Sequence, residues 1–310
     1  MRPFMISIDN ADGAKPQTAL DQADIVYEFL VEASITRFQA LYNDSYPVYA
    51  GPLRSIRYYF YDLAQEWDAM YLGSGYVILQ NPYRRIGANM LSNNLNVNKI
   101  VNYRTSKGAL NDYESQNGDK FRSGEPGRSS VHAMYVRVQS LVNKYYEHQP
   151  EPEERFRFME NVSYEGAPSF TSVSLPYAAK NNPDWVQFSY DAKSNRLYRF
   201  EGGAASINRV LSADGTSYTE EQFSVQNLIV QHVEYGYVPG DDKGRRSCEL
   251  IGGGACDYFI NGQHLRGAWS RPTAEDHTQY LLEDGSLVIL EPGNTWIAVH
   301  PNDKEITVYA

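Results

Sequence analysis

The side chains with the most chemical potential in this sequence gather between Glu28 and Arg57. Glu28 and Glu32 are candidate acid/base carboxylates, Arg37, Arg54 and Arg57 are candidate anion contacts, and Ser55 stands between two of those arginines. Paired carboxylates do acid/base work only within reach of one reacting centre. On a strand, four residues span roughly 13 Å at about 3.3 Å each, whereas glycosidase carboxylates lie roughly 5 to 10 Å apart. Each glutamate would therefore need a third group as its partner. Arg37 is one option: a two- or four-residue hairpin loop places it on the face of Glu28 and Glu32, and a three-residue loop places it on the other.

The run Gly51-Pro52-Leu53-Arg54-Ser55-Ile56-Arg57 predicts a loop ending at a Ser55 N-cap. Ile56, Tyr59, Phe60, Leu63, Ala64 and Trp67 then recur at helical spacing. Cations at a helix start oppose the macrodipole unless an anion sits between them. Free N–H groups and two guanidinium forks there would cradle a phosphate or carboxylate. The same charges also admit an internal answer, with Glu28, Glu32 or Asp24 as counter-charge. His132 opens a second predicted helix, Val131 to Tyr146, after a segment carrying Arg122 and Arg128. It is a candidate general base or anion contact.

The elements that must position these groups are legible in part. Asp24 to Glu32 alternates with period two, placing Ile25, Tyr27, Phe29 and Val31 on one face, which predicts a strand. Ile35 to Tyr42 predicts its hairpin partner, and Met70 to Leu79 a further strand. His148 to Glu154, polar and punctuated by Pro150 and Pro152, predicts a linker. Beyond it, strand-like runs are broken by Asp214-Gly215, Asn261-Gly262 and Asp284-Gly285, strong hairpin signals. The expected fold class is α+β: a mixed α/β domain over 1–150, then a β-rich, mainly antiparallel domain over 151–310. Trp269 and Trp296 are expected to anchor the second core.

A chain of 310 residues favours two domains, and 42% hydrophobic with 21% charged residues is a globular composition. A net charge of −10 argues against general nucleic-acid binding, which needs a basic face. No run approaches the roughly 18 apolar residues of a membrane span, and no signal-peptide pattern is present. The opening strand-like run, Phe4 to Ile8, fits a chain freed of its leader and a cytoplasmic protein equally. Cys248 and Cys256 flank a glycine-rich run whose turning could bring them within disulfide distance. No zinc site is expected from two cysteines without a nearby histidine at metal spacing, and no cofactor is expected. Walker, dinucleotide-binding, His-Glu-x-x-His, Gly-x-Ser-x-Gly and Ser-x-x-Lys motifs are all missing from the sequence.

At this point the sequence resembles a known family, the YerB-like bacterial lipoproteins of unknown function. The resemblance is carried first by Arg2-Pro3, Ile8-Asp9-Asn10, Pro16-Gln17, Ala23 to Glu28, Glu32, Thr36-Arg37 and Gly51 to Arg57. It continues through Asn227 to Gln231, Gly262, Gly267 to Arg271 and Pro292 to Trp296. It implies two domains and export, with membrane anchoring through a lipid on a residue upstream of this sequence. It implies no catalytic mechanism. The chain departs from the family where Pro-His-Asn is expected and Val131-His132-Ala133 stands.

Three functional expectations follow. The first is a cell-envelope protein binding an anionic or glycan-type ligand at Arg37, Arg54, Ser55 and Arg57, with no partner protein identified. The second is a hydrolase using Glu28 or Glu32 with His132. The third makes the charged cluster a staple that only stabilises the fold.

Overall fold

A computed structural model of the chain describes residues 3–73, 100–102, 129, 132–133, 135–139, 155–177 and 185–310. The linker expected at His148 to Glu154, Arg122, Arg128, most of the second predicted helix and the predicted strand beyond Gly73 lie outside the described residues. The chain forms two compact units. The first comprises Met1–Asp24, Arg37–Pro152 and Ile207–Glu221, and the second Ile25–Thr36, Glu153–Ser206 and Gln222–Ala310. One junction falls close to the expected boundary at 150, but Ile25–Thr36 and Ile207–Glu221 each cross it to join the opposite half of the sequence.

In the first unit, strand β1 (Phe4–Asp9) is buried along its whole length. Strand β2 is Gln17–Thr18; β3, Ile25–Glu32, belongs to the second unit, and β4 is Ile35–Tyr42. β4 runs antiparallel to β1, which sets Arg37 opposite Asp9. On the other side of β1, β5 (Met70–Gly73) and then β6 (Ile100–Asn102) add in parallel. β2 pairs in parallel with the strand Ile207–Leu211, which explains why that late segment belongs here. The Asp214-Gly215 turn follows it, with Gly215 at φ 67 and the Ser212 and Thr216 hydroxyls donating to Asp214.

The helix α1 spans Tyr59–Glu66 and buries Tyr59, Phe60, Leu63 and Ala64, the face its spacing predicts. It starts later than expected. Its N-cap is Tyr58, with no side-chain capping bond, so Ser55 is not the cap. The reason lies one turn upstream, where Asp9 N donates to Pro52 O, Arg54 N donates to Ser7 O, and Leu53 bridges Ile8. Those bonds hold residues 52–54 extended against the end of β1, and the chain turns helical only after leaving it. Strands dominate the described residues; α1 is described whole, and Val138 and Gln139, within the second predicted helix, are helical too. A mixed α/β first domain was expected, and what the described residues display there is a mixed sheet with α1 and that second stretch of helix.

In the second unit, β3 lies parallel to Thr295–Pro301, which lies parallel to Asn227–Val233. Antiparallel strands Gly252–Ile260, Gln263–Arg271 and Gln279–Leu282 complete the sheet. The β-rich domain was expected to be mainly antiparallel, and its outer strands are. Its central strand is parallel to both neighbours, and all seven of its residues are buried, as strands in a parallel core are. That position also explains why seven of the eight residues of β3 are buried, although the alternation in its sequence predicted one solvated face.

A second, antiparallel sheet contains Ser172–Leu175, Val186–Asp191 and Arg196–Glu201. Phe188 of that sheet packs against Trp296 at 5.7 Å between ring centroids, and Trp269 is buried as well. Asn261 and Gly262 both take positive φ, 47° and 74°, the left-handed pair that a two-residue hairpin turn demands. Cys248 and Cys256 are free and buried, so the possible disulfide is not formed. Gly252 to Gly254 make strand rather than a turn, and the two cysteines sit in separate ladders, Cys248 against Tyr235 and Cys256 against Gln231 and Gly267.

Candidate functional site

The charged segment that looked like one site divides between the units. Glu28 and Glu32 belong to the second, and Arg37, Arg54, Ser55 and Arg57 to the first.

Glu28 is fully buried at the middle of β3. Its Oε1 accepts from Arg199 Nη2 at 2.7 Å and from the Thr36 hydroxyl at 2.7 Å, and its Oε2 accepts from Trp296 Nε1 at 3.1 Å. Thr36, rather than Arg37, is therefore the β4 residue that meets Glu28. Burial pushes the Glu28 pKa above its ordinary range, and the Arg199 charge and the hydrogen bonds from Thr36 and Arg199 offset only part of that rise. Three donors converge on its two oxygens. Burial works against the Arg199 charge too, but Glu28 and Glu201 outweigh it and raise the guanidinium above its ordinary value. Glu32, at the strand end, faces Arg245 at 3.9 Å. Glu28 is thus committed to Arg199, whereas Arg245 pairs more closely with Asp241 than with Glu32, and the two glutamates form no acid/base pair.

The first unit contains a different arrangement, centred on Asp9. This carboxylate, at the C-terminal end of β1, is only 1% exposed. Its Oδ2 meets His132 Nδ1 at 2.7 Å and Arg54 Nε at 3.5 Å, and its Oδ1 accepts from Ala11 N at 3.1 Å. The Asp9 carbonyl accepts from Gln17 Nε2, which also donates to Asn10. Above this buried anion the Arg54 side chain is 31% exposed and the His132 side chain 19%. Arg37 Nη1 donates to the Ser55 carbonyl at 2.8 Å, with Arg57 Nη1 at 3.4 Å from the same oxygen. Burial lowers the Arg37 pKa to about 10 while Asp9 opposes the shift, which leaves the guanidinium charged at neutral pH.

Of the sequence candidates, the structure brings Arg37, Arg54, Ser55, Arg57 and His132 to the Asp9 end of β1. It gives Ser55 a carbonyl role instead of a capping hydroxyl. His132 lies in a short 3-10 turn, its N–H donating to Ser129 O at 2.9 Å. Its carboxylate partner is Asp9, not Glu28 or Glu32. Asp9 is the member of this cluster that was not among the sequence candidates. Its signal was a lone charge closing the apolar run Phe4 to Ile8, without any indication of its partners.

A second cluster was also missed. In the second unit, Asp257 accepts from His232 Nε2 at 2.8 Å on one oxygen and from His264 Nε2 at 2.7 Å on the other. Burial alone would raise the Asp257 pKa, but the hydrogen bonds from the two histidines carry it well below the usual carboxylate range. His232 is in register with His300. The His300 pKa is pushed down to about 3, by burial first and the His232 charge second. His300 is therefore neutral in the fold, with Nε2 donating to Pro176 O at 3.1 Å. The Asn261-Gly262 hairpin is what brings His264 back toward Asp257, and that turn was readable.

Comparisons with known proteins agree with this architecture. Residues 1–151 match the family model described as "Protein of unknown function (DUF3048) N-terminal domain", and residues 173–297 match its C-terminal domain. The chain is 26% identical over 303 residues to "Putative lipoprotein YerB" of Bacillus subtilis (strain 168), which spans 97% of this chain and 82% of that protein. The crystal structure of YerB from Bacillus subtilis superposes with a TM-score of 0.73 at 24% identity, covering 99% of this chain and 93% of that one. That likeness shows a shared fold. No helix among the described residues is long and apolar enough to cross a membrane.

Proposed function

The chain belongs to the YerB-like DUF3048 family of two-domain proteins of unknown function, and from that premise we propose that it is an extracytoplasmic, membrane-tethered lipoprotein whose first unit binds an anionic ligand. The tether rests on the relative's description as a lipoprotein. The binding reading rests on one observation: a single buried carboxylate oxygen, Asp9 Oδ2, orients both Arg54 and His132 while their side chains stay partly exposed. A guanidinium fixed at one edge by a buried partner loses little freedom when it meets a ligand anion. A phosphate or the carboxylate of an acidic glycan fits its planar donors.

Calorimetric titration of inorganic phosphate and of a uronic-acid oligosaccharide into the full chain tests this reading. Arg54→Ala should weaken binding about tenfold or more, the scale of one charge-assisted hydrogen bond. Equal binding by the variant, or no binding of either probe to the wild type, sinks it. For Glu28 the staple reading is favoured, because the complete burial of its carboxylate leaves no approach for a ligand.

A further inference from the structure

We propose that Asp9 and His132 form a general-base dyad that hydrolyses phosphoesters held at Arg54, an inference that rests on the anion-site reading above. An ionised carboxylate only accepts hydrogen bonds, so the 2.7 Å contact fixes the His132 proton on Nδ1. The Nε2 lone pair is then the free end of the ring, and it has no hydrogen-bond partner among the described residues. A histidine locked in this tautomer by a buried carboxylate is built to take a proton from water.

The ring is also seated closely. A Cβ on Gly13 would lie 2.9 Å from His132 Cδ2, so the side chain missing from Gly13 is what lets the imidazole settle against the 3-10 turn Asp12–Ala14 and meet Asp9. Arg54, on the same Asp9 oxygen, places positive charge beside the base, where charge develops on phosphoryl oxygens in the transition state. Arg37, opposite Asp9 in the β1–β4 register, adds to the positive field at this corner. The planar guanidinium fits the several oxygens of a phosphoryl group better than the single oxygen of a carboxylic ester, and this selects the substrate class.

In the step itself, His132 Nε2 removes a proton from water as the water oxygen forms a bond to phosphorus. The P–O bond to the leaving group breaks, and the leaving oxygen departs with that electron pair and is protonated from solvent. The imidazolium returns its proton to solvent. One water is consumed, an alcohol or phenol and a phosphate are released, and no oxidant or reductant is involved. Asp9 touches no reacting atom in this scheme and is a positioning residue.

The test pairs hydrolysis of p-nitrophenyl phosphate and bis(p-nitrophenyl) phosphate across pH 5 to 9 with calorimetric binding of inorganic phosphate, both on the full chain. Turnover should fall roughly 10²- to 10⁴-fold in His132→Ala, the usual worth of a general base, and the acid limb of the pH profile, where a general base is lost to protonation, should vanish with it. Asp9→Asn and Gly13→Ala should each lower kcat about tenfold or more, and Gly13→Ala, which removes no charge, should bind phosphate within about threefold of the wild type. Circular dichroism melts establish that each variant is folded. Phosphate binding without turnover, or turnover unchanged in His132→Ala, overturns the dyad and leaves the anion site standing. Absence of phosphate binding overturns the anion site and the dyad together.

Discussion

Two carboxylate–arginine pairs in this protein share their chemistry and differ in their surroundings. Glu28 and Arg199 meet at 2.7 Å with 0% and 2% of their side chains exposed, and Thr36 and Trp296 also donate to the carboxylate. Asp9 is as buried as Glu28, but its arginine stands off at 3.5 Å with nearly a third of its side chain exposed, and its other partner is a histidine. A pair sealed from solvent can only stabilise or destabilise the fold. A pair whose carboxylate is buried and whose arginine is partly exposed presents that arginine to solvent. Depth of the partner, rather than presence of the charge, is the difference between the two.

That contrast is open to measurement, the largest effect first. Glu28→Ala should cost about 3 to 5 kcal/mol of unfolding free energy in urea titrations, since it removes the 2.7 Å carboxylate partner of the buried Arg199. A loss under about 1 kcal/mol would mean the sealed pair is no staple. The next effect concerns pH. The folded His300 pKa, about 3, lies below its ordinary value of 6.5. The unfolded chain therefore binds the extra proton first as pH falls, and stability drops through that window. Between pH 7 and 5 this group alone should remove about 2 kcal/mol, and His300→Gln should flatten the slope of unfolding free energy against pH. Asp257 acts further down: its depressed pKa supplies stability above the ordinary carboxylate value of 3.8 that is lost below it, so Asp257→Asn should change the melt at pH 7 more than at pH 3. The smallest effect is expected at the partly exposed pair. Arg54→Ala should shift unfolding free energy by less than about 1 kcal/mol, while anion binding, if the proposed reading holds, falls by a much larger factor. Equal stability losses in Glu28→Ala and Arg54→Ala would erase the distinction between the two pairs.

Local rules carried the sequence reading some distance. Alternation identified β3, glycine after Asn261 identified its hairpin, and the spacing from Tyr59 to Trp67 identified α1 and its buried face. Those features depend on neighbours a few residues away. The rest depends on partners that no window contains. Glu28 takes its meaning from Arg199 and Trp296, and Asp9 from a histidine 123 residues later. Ser55 carries every local mark of a cap, yet the bonds that hold residues 52–54 against β1 delay the helix by a turn. The parallel core was hidden for a similar reason: β3 finds its partner in Thr295–Pro301, and hairpin signals report antiparallel neighbours only.

The pairing of Val26 with Trp296 has a temporal consequence. A ribosome delivers β3 long before its parallel neighbour. Until then β3 is an apolar strand with an unsatisfied backbone edge, the kind of segment that recruits wrong partners. The second unit therefore cannot close until the chain has been delivered through Thr295–Pro301. Such a chain should depend on holding factors more than one built from two sequential domains would.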